Sequence, residues 1–295
     1  ILYTSGSTGK PKGVLAPHRC YHGRLMWMWQ TFPLEVGEVG IHKTAATWVD
    51  HIQEIFGYLG GGATVVTANE SARKDVRILT SLCHQYEVSR IVLMPSLLRL
   101  IVDMYGKQLA EDLPKLRCVI SSGEPLPVEL VKDFISNASS RTTLVNAYGS
   151  TEIAGDVTWA AFTASHMPEP GSSGFATVGT PMRGVQLHVL DPDKLVPVGA
   201  GEVGEIFVAG DFVAEGYLNR ESEQDLCFLK IPSLNPDCMG GMRGWNPERV
   251  FRTGDFGRFD GEFLYLQGRK DQQVKVHGQR IEVLQCRARP PRESL

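Results

Sequence analysis

Between residues 52 and 145 the hydrophobic period of the chain switches repeatedly, and that alternation restricts it to one class of fold. Ile52, Ile55, Phe56 and Leu59 follow the i, i+3, i+4, i+7 rule of a helix face, Gly60-Gly61-Gly62 stops that helix, and Ala63 to Val66 reads as a strand. Leu79, Leu82, Cys83 and Tyr86 make a second helix face, Ile91-Val92-Leu93 a strand, and Leu98, Ile101, Val102 and Tyr105 a third helix. Cys118-Val119-Ile120 and Thr143-Leu144-Val145 are strands on either side of a helix bearing Val128, Val131 and Ile135. Strands separated by helices predict an α/β protein: a mostly parallel sheet covered on both faces, with ligands at the carboxyl ends of its strands. Polar sets fall at two such ends, Ser121-Ser122-Gly123-Glu124-Pro125 and Asn146 through Glu152. Upstream, Pro17 can open a helix whose apolar face holds Leu25, Trp29 and Phe32 and leaves Trp27 aside.

Around Pro168-Glu169-Pro170-Gly171 the composition shifts to turns, and short strands follow: Val185, Leu187 and Val189 alternate, as do Ile206 and Val208. Asp260-Gly261 predicts a hairpin turn before Phe263 to Leu266. The expected organisation is an α/β part over 1–165 and a β-rich part over 166–270, followed by 271–282 and a tail over 283–295.

At 295 residues the chain can bury a large core, and a net charge of −3 with dispersed lysines and arginines argues against a nucleic-acid partner. The 6 cysteines form no Cys-x-x-Cys pair, which fits a reducing, cytoplasmic setting rather than a zinc module or disulfide framework. The most apolar stretch, Ile91 to Tyr105, is broken by Pro95, Arg99 and Asp103, far short of the ~20 apolar residues of a membrane span.

The chemistry begins at Tyr3-Thr4-Ser5-Gly6-Ser7-Thr8-Gly9-Lys10-Pro11-Lys12-Gly13-Val14. Glycines let a backbone approach a ligand closely and turn successive N–H groups into one concavity, and hydroxyls with ammonium groups suit phosphate oxygens. The apolar Ile1-Leu2-Tyr3 reads as a buried strand that presents this loop. It is not a Walker A loop: two residues separate Gly6 from Gly9, and Lys10 is followed by Pro11. A flexible Gly/Ser linker is the alternative, and the flanking apolar residues and the Lys-Pro-Lys-Gly run weigh against it.

Four more segments follow: Asn146-Ala147-Tyr148-Gly149-Ser150-Thr151-Glu152, then Gly204-Glu205-Ile206 through Gly216-Tyr217-Leu218, Phe251-Arg252-Thr253-Gly254-Asp255, and Gly268 to Lys275. With the loop, and in this order from Ile1 to Glu282, they resemble the acyl-adenylate-forming (AMP-dependent synthetase/ligase) enzymes, closest to nonribosomal peptide synthetase adenylation domains. The resemblance implies the large core of that fold and ATP-dependent formation of an acyl-adenylate with Mg²⁺. Ser5, Gly6, Ser7, Thr8, Gly9, Lys10 and Lys12 would then hold the departing phosphates, Glu152 the metal, and Thr151 the α-phosphate. Gly123, Glu124, Asn146, Tyr148, Gly149, Asp255 and Arg269 would form the AMP site, with Tyr148 offering an aromatic face to adenine and Asp255 accepting from the ribose hydroxyls. Taken singly, Tyr148 also reads as core filler, Asp255 as a turn residue and Arg269 as a solvated charge.

By the same resemblance Val49, Asp50, Gln53, Val92, Ile120, Ser122, Ala147, Gly155 and Asp156 would line the substrate pocket. Family members for α-amino acids carry an aspartate at the position of Val49. Here aspartate comes one residue later, at Asp50, as in members that activate β-alanine. A β-amino acid places its ammonium one carbon, ~1.5 Å, farther from the carboxylate, so a displaced counterion suits it, and by the same resemblance Asp156 would be a second carboxylate near that ammonium. Asp50 with Gln53 also reads as a capping box opening the helix that follows.

The resemblance makes 1–165 the nucleotide- and substrate-binding part, 166–270 a barrel-like subdomain and 271–282 a hinge, with Asp271 matching the family's hinge residue. After Glu282 the sequence is polar and rich in Pro and Arg, unlike the family's mobile lid, and Ile1 already lies in an expected core strand; both features suggest a core truncated at each end. A small carboxylic or amino acid is the expected substrate. A carrier domain with its phosphopantetheine would be a partner only outside this chain. An inactive nucleotide-binding remnant and an acyl-CoA synthetase are the competing readings.

Overall fold

The structure is a computed structural model that describes residues 1–5, 10–168, 174–220, 226–231, 249–269, 273–276 and 279–282. It opens with a hairpin, β1 (Leu2–Thr4) against β2 (Lys12–Val14), which frames the glycine-rich loop. Ile1 and Tyr3 are 67% and 59% exposed, so the strand that presents the loop is not the buried one expected. Among the described residues its only ladder is to β2, leaving most of its side chains without a covering layer.

The seven-stranded sheet holds β3 (Val39–His42), β4 (Thr64–Thr67), β5 (Arg90–Leu93), β6 (Cys118–Ser121), β7 (Thr143–Ser150), β8 (Gly155–Phe162) and β9 (Thr180–Pro181), in the order β4-β3-β5-β6-β7-β8-β9. The first five run parallel, as the alternating pattern requires; β8 and β9 add antiparallel. Strand β7 runs on to Ser150, so Asn146 to Gly149 lie within a strand rather than in a loop. The cause is β8, whose pairing prolongs β7 through a bulge at Tyr148/Gly149. A Cβ at Gly149 would sit 1.7 Å from the Gly155 carbonyl oxygen, so only glycine allows that closure.

Helix α1 (His18–Thr31) packs Trp27 and Met28 into a core cluster with Tyr58, Val157, Met182 and Phe212. Next come α2 (Asp50–Ile52), a π-turn over Gln53–Gly57, and α3 (Tyr58–Gly60); α4 (Glu70–Lys74) and α5 (Val76–Gln85) follow β4. Then α6 (Pro95–Tyr105) follows β5, α7 (Leu109–Asp112) precedes β6, and α8 (Val128–Asn137) precedes β7. The faces expected of α5, α6 and α8 are buried at Leu79, Cys83, Leu98, Ile101, Val102, Val128, Val131 and Ile135, in one cluster with Ile91, Leu93 and Val119 of the sheet. Tyr86 ends α5 half-exposed.

Two helix faces differ from the periodic reading. In α1 the buried residues are Cys20, Arg24, Trp27 and Met28, a stripe that includes a charge and therefore escaped a hydrophobic count. In the 50–60 segment Phe56 and Leu59 are 57% and 55% exposed while Gln53, Glu54, Gly57 and Tyr58 are buried. The π-turn adds a residue to the turn and rotates the buried face.

The β-rich part is an open antiparallel sheet of β10 (Val185–Leu190), β11 (Val203–Gly210), β12 (Phe228–Leu229), β13 (Val250–Phe259) and β14 (Leu264–Arg269). Strands β12 and β14 share the far edge of β13, and among the described residues no ladder closes the sheet into a barrel. The Asp260-Gly261 turn forms as expected: Asp260 Oδ1 accepts from the N–H groups of Glu262 and Phe263 at 3.0 and 2.8 Å. Strands β15 (Gln273–Val276) and β16 (Gln279–Glu282) form a separate hairpin.

Candidate active site

A cavity of about 330 Å³ opens where the β1–β2 hairpin, the carboxyl ends of the parallel strands and the β13–β14 edge meet. Of the residues singled out in the sequence, it is lined by Ser5, Val49, Asp50, Ser122, Gly123, Gly149, Thr151, Glu152, Gly155, Asp156, Asp255 and Arg269. Tyr3, Thr4, Thr47, Trp48, Ser150 and Thr253 also line it. Tyr3, Thr4, Ser150 and Thr253 belong to the quoted motifs without an assigned role, and Thr47 and Trp48 have no sequence signal beyond adjacency to Val49. Gly6, Ser7, Thr8, Gly9 and Asp271 lie outside the described residues.

At the nucleotide end, β7 and β13 meet. Tyr148 donates its phenolic hydroxyl to Oδ2 of Asp255 at 2.6 Å, and Arg269 Nη1 donates to Oδ1 at 2.6 Å and to the Thr253 carbonyl at 3.1 Å. Burial and the Asp255 charge hold the Tyr148 phenol well above its usual range, so it stays a donor. Each Asp255 oxygen keeps accepting capacity, which leaves the carboxylate able to take a diol. Tyr148 itself is buried in the core and does not line the cavity.

The phosphate end is built by main-chain pairing. Leu15 and Leu218 donate their N–H groups to the carbonyls of Gly216 and Gly13 at 2.9 and 2.8 Å, docking the Gly216-Tyr217-Leu218 segment on the hairpin. This carries Tyr217 to Glu152: its hydroxyl donates to Oε1 at 3.0 Å, and the Lys12 ammonium lies 4.7 Å from the centre of its ring. Lys10 is exposed at the hairpin end and Lys12 is buried, and neither lines the cavity. Ser5 Oγ and Ser150 Oγ are buried and have no protein partner. Unpaired hydroxyls beside a carboxylate fit a phosphate chain and a hard divalent cation.

Two expected nucleotide contacts are occupied elsewhere. Asn146 Nδ2 donates to the Thr177 carbonyl at 2.8 Å, tying β7 to the segment before β9. Glu124 accepts the Ser96 N–H at 3.0 Å, placing a carboxylate at the N-terminus of α6.

At the acid end, Val49 and Ser122 wall the cavity, and Asp50 and Asp156 converge on Arg24. Arg24 Nη2 bonds Asp156 Oδ2 and stands 3.6 Å from Asp50 Oδ1. Asp50 makes no helix cap: Val49 is already helical, and no side chain there accepts a backbone N–H. The capping-box alternative therefore falls, because the turn begins before Asp50. Gln53 is buried, its amide atoms lack protein partners, and it does not line the cavity. Val92, Ile120 and Ala147 also stand back from it. With Cys118 and Val145 they form an apolar cluster closed by Phe32 and Trp159, whose rings lie 5.4 Å apart. The loop carrying Trp48 and Val49 is held from below by buried Glu54, which accepts from the N–H groups of Lys43 and Thr44 at 3.0 and 2.7 Å and from the Thr44 hydroxyl at 2.8 Å.

A mixed α/β sheet carrying the β1–β2 hairpin, with the Asp255 carboxylate tethered by Tyr148 and Arg269 at the cavity, is the architecture of the adenylate-forming class. A family model described as AMP-binding enzyme matches residues 1–218, and the chain belongs to that family. It is 38% identical over 290 residues to the beta-alanyl-bioamine nonribosomal peptide synthetase ebony of Drosophila melanogaster, covering 96% of this chain and 31% of that protein. Tyrocidine synthase 3 of Brevibacillus parabrevis is 33% identical over 96% of this chain and 4% of its own length. The solved adenylation-PCP fusion NpsA-ThdA from Klebsiella oxytoca superposes with a TM-score of 0.79 at 27% identity, covering 95% of this chain and 52% of that one. The Vibrio cholerae adenylation domain AlmE, solved with glycyl-adenosine-5'-phosphate, shares the fold with a TM-score of 0.80 at 23% identity over 95% of this chain and 49% of its own. The chain thus spans about half the length of these solved relatives. No described helix is long and apolar enough to cross a membrane, and no group of His, Cys, Asp and Glu suited to a metal occurs among the described residues. Glu152 would need a phosphate oxygen or water to complete a coordination sphere.

Proposed function

We propose that the protein activates a β-amino acid, β-alanine in the first instance, as its acyl-adenylate. The acid's carboxylate oxygen attacks the α-phosphorus of ATP, the bond to the bridging oxygen breaks, and pyrophosphate leaves with that electron pair. The chain's own residues supply position and charge. Asp255, steadied by Tyr148 and Arg269, takes the ribose hydroxyls; Ser5, Ser150, Thr151 and Lys10, with the Gly6–Gly9 loop, donate to phosphate oxygens as charge shifts toward the leaving group. Mg²⁺, held by Glu152, would neutralise charge on the phosphates.

The observation that carries the choice of acid is Asp50. It lines the cavity one residue beyond Val49, its Oδ1 has no hydrogen-bond partner, and no capping role accounts for it. The 38% identity to a synthetase named for β-alanine supports the same reading. In the full-length protein the acyl group would pass to a carrier phosphopantetheine thiol or to an amine.

ATP–pyrophosphate exchange on the full-length protein tests this. β-Alanine should be preferred over α-amino acids and fatty acids. Asp50→Asn should cost about 3–5 kcal/mol of substrate binding by leaving the ammonium unpaired, while the melting temperature barely moves. Preference for another acid, or exchange that survives the substitution, would show the β-alanine assignment to be wrong.

A further inference from the structure

Helix α1 turns a guanidinium inward. Arg24 is 3% exposed, on the same stripe as Cys20, Trp27 and Met28. A charge so placed needs anions, and both come from distant segments: Asp156 from β8 and Asp50 from the start of α2. The two are not equivalent. Asp156 lines the cavity but is bonded to Arg24, and the two side chains are almost wholly buried, 4% and 5% exposed. Gly155 makes room for the pair, since a Cβ there would lie 3.1 Å from Arg24 Nε. Asp50 stands off at 3.6 Å, with its side chain 20% exposed and its Oδ1 without a hydrogen bond at the cavity wall.

We infer that Arg24 is held chiefly by Asp156, and that Asp50, within ion-pair distance of Arg24 but not hydrogen-bonded to it, is left as the cavity carboxylate that takes the substrate ammonium. Arg24 is then a positioning residue that fixes the pocket's capacity at one positive charge. The inference rests on the amino-acid reading above. Two carboxylates that both reach one guanidinium nitrogen would otherwise compete for the same ligand cation, and Arg24 takes one of them out of the competition.

The arrangement has a consequence that simple counterion binding lacks. Removing Asp156 alone releases Arg24 to Asp50, which is already within 3.6 Å. The ammonium then loses its anion although the substitution does not touch it. Removing Arg24 and Asp156 together leaves no orphaned charge and restores Asp50 to the ligand.

The readout is the ratio of exchange kcat/KM for β-alanine to that for propionate in the full-length protein; loss of folded protein lowers both and cancels. Asp156→Asn should lower the ratio roughly 10²-fold, as Asp50→Asn does. Arg24→Met with Asp156→Asn should bring it back to within about tenfold of wild type, and adding Asp50→Asn to that double variant should collapse it again. Arg24→Lys, which keeps the charge, should hold the ratio near wild type. A double variant no better than Asp156→Asn would mean that Asp156 itself binds the ammonium, and the inference would fall. If Asp156→Asn does not fold, the double variant against the triple decides: equal ratios overturn the idea. A wild type that prefers an α-amino acid refutes the β-alanine reading alone, and the same variants run on that acid still judge Arg24. Exchange with no ammonium-bearing acid refutes both.

Discussion

The hydroxyl of Tyr148 lies 2.6 Å from Oδ2 of Asp255, joining the last parallel strand of the mixed sheet to the centre of the antiparallel one. The bond spans 107 residues of sequence and fixes a carboxylate at the rim where the two sheets meet. Tyr148→Phe should therefore raise the KM for ATP about tenfold by removing one charge-assisted hydrogen bond, and Asp255→Ala should raise it further. ATP titrations at saturating acid measure both. An unchanged KM in Tyr148→Phe would make the bond a structural tie only.

Lys10→Ala removes a cation exposed at the hairpin end beside the cavity, and Glu152→Gln takes charge from the cavity lining itself. Either should cut the adenylation rate roughly 10²-fold or more with little change in melting temperature. Tyr217→Phe leaves the Glu152 carboxylate in place but removes its donor, so its effect should appear in the Mg²⁺ titration, as a requirement raised about tenfold or more. A melting temperature that falls while the rate per folded molecule holds would assign all three to structure.

Arg90 joins β5 to the chain leaving α1. It pairs with buried Glu38 through Nε and donates to the carbonyls of Phe32 and Pro33, both at 2.8 Å. Arg90→Met leaves a buried carboxylate with only Arg117, 3.1 Å away, and strips two carbonyls of their donor. Urea unfolding should show a loss of about 3 kcal/mol. A loss under about 1 kcal/mol would mean that Arg117 and water compensate fully.

His188 is buried in β10, and burial pulls its pKa down to about 4 from 6.5. The folded state thus binds this proton less readily than the unfolded chain. The histidine's contribution is complete above pH 6.5 and is lost as pH falls from 6.5 toward 4, by about 3 kcal/mol in all. Urea midpoints measured across that range should fall less steeply in His188→Gln than in wild type. Parallel curves would show that His188 does not contribute to the acid limb.

Thiol accessibility is a simpler check. Burial raises Cys20 and Cys118 to about 11 and Cys83 to about 12, so all three should resist alkylation at neutral pH until the protein unfolds. Rapid labelling of any of them in native buffer would contradict its buried placement.

Much of this was legible in the residues alone. The faces of α5, α6 and α8 followed from spacing, because a helix repeats its buried positions within a few covalent steps. The Asp260-Gly261 turn was equally local: glycine and aspartate restrict their own backbone whatever surrounds them. The five ordered motifs placed the chain in its family for the same reason, since each is a contiguous run. The extent of β7, the buried face of the 50–60 segment and the location of Gln53, Val92, Ile120 and Ala147 were not legible. A π-turn and an antiparallel neighbour decide those through pairing, and no residue-level period encodes either.

Arg24 shows where that division falls. Its sequence neighbours mark it as an ordinary polar residue on a mostly apolar helix, and α1 read by hydrophobicity turns Leu25 and Trp29 inward instead. Asp50 read from sequence was equally a cap or a counterion. The sequence by itself determined that the chain is an adenylate-forming core and named Asp50 and Asp156 as pocket residues, without singling out Arg24. Only the tertiary structure decided which aspartate hydrogen-bonds the arginine and which stands off from it, because burying a charge is governed by the partner that arrives, here from 132 residues away, and not by the residues next to it in the chain.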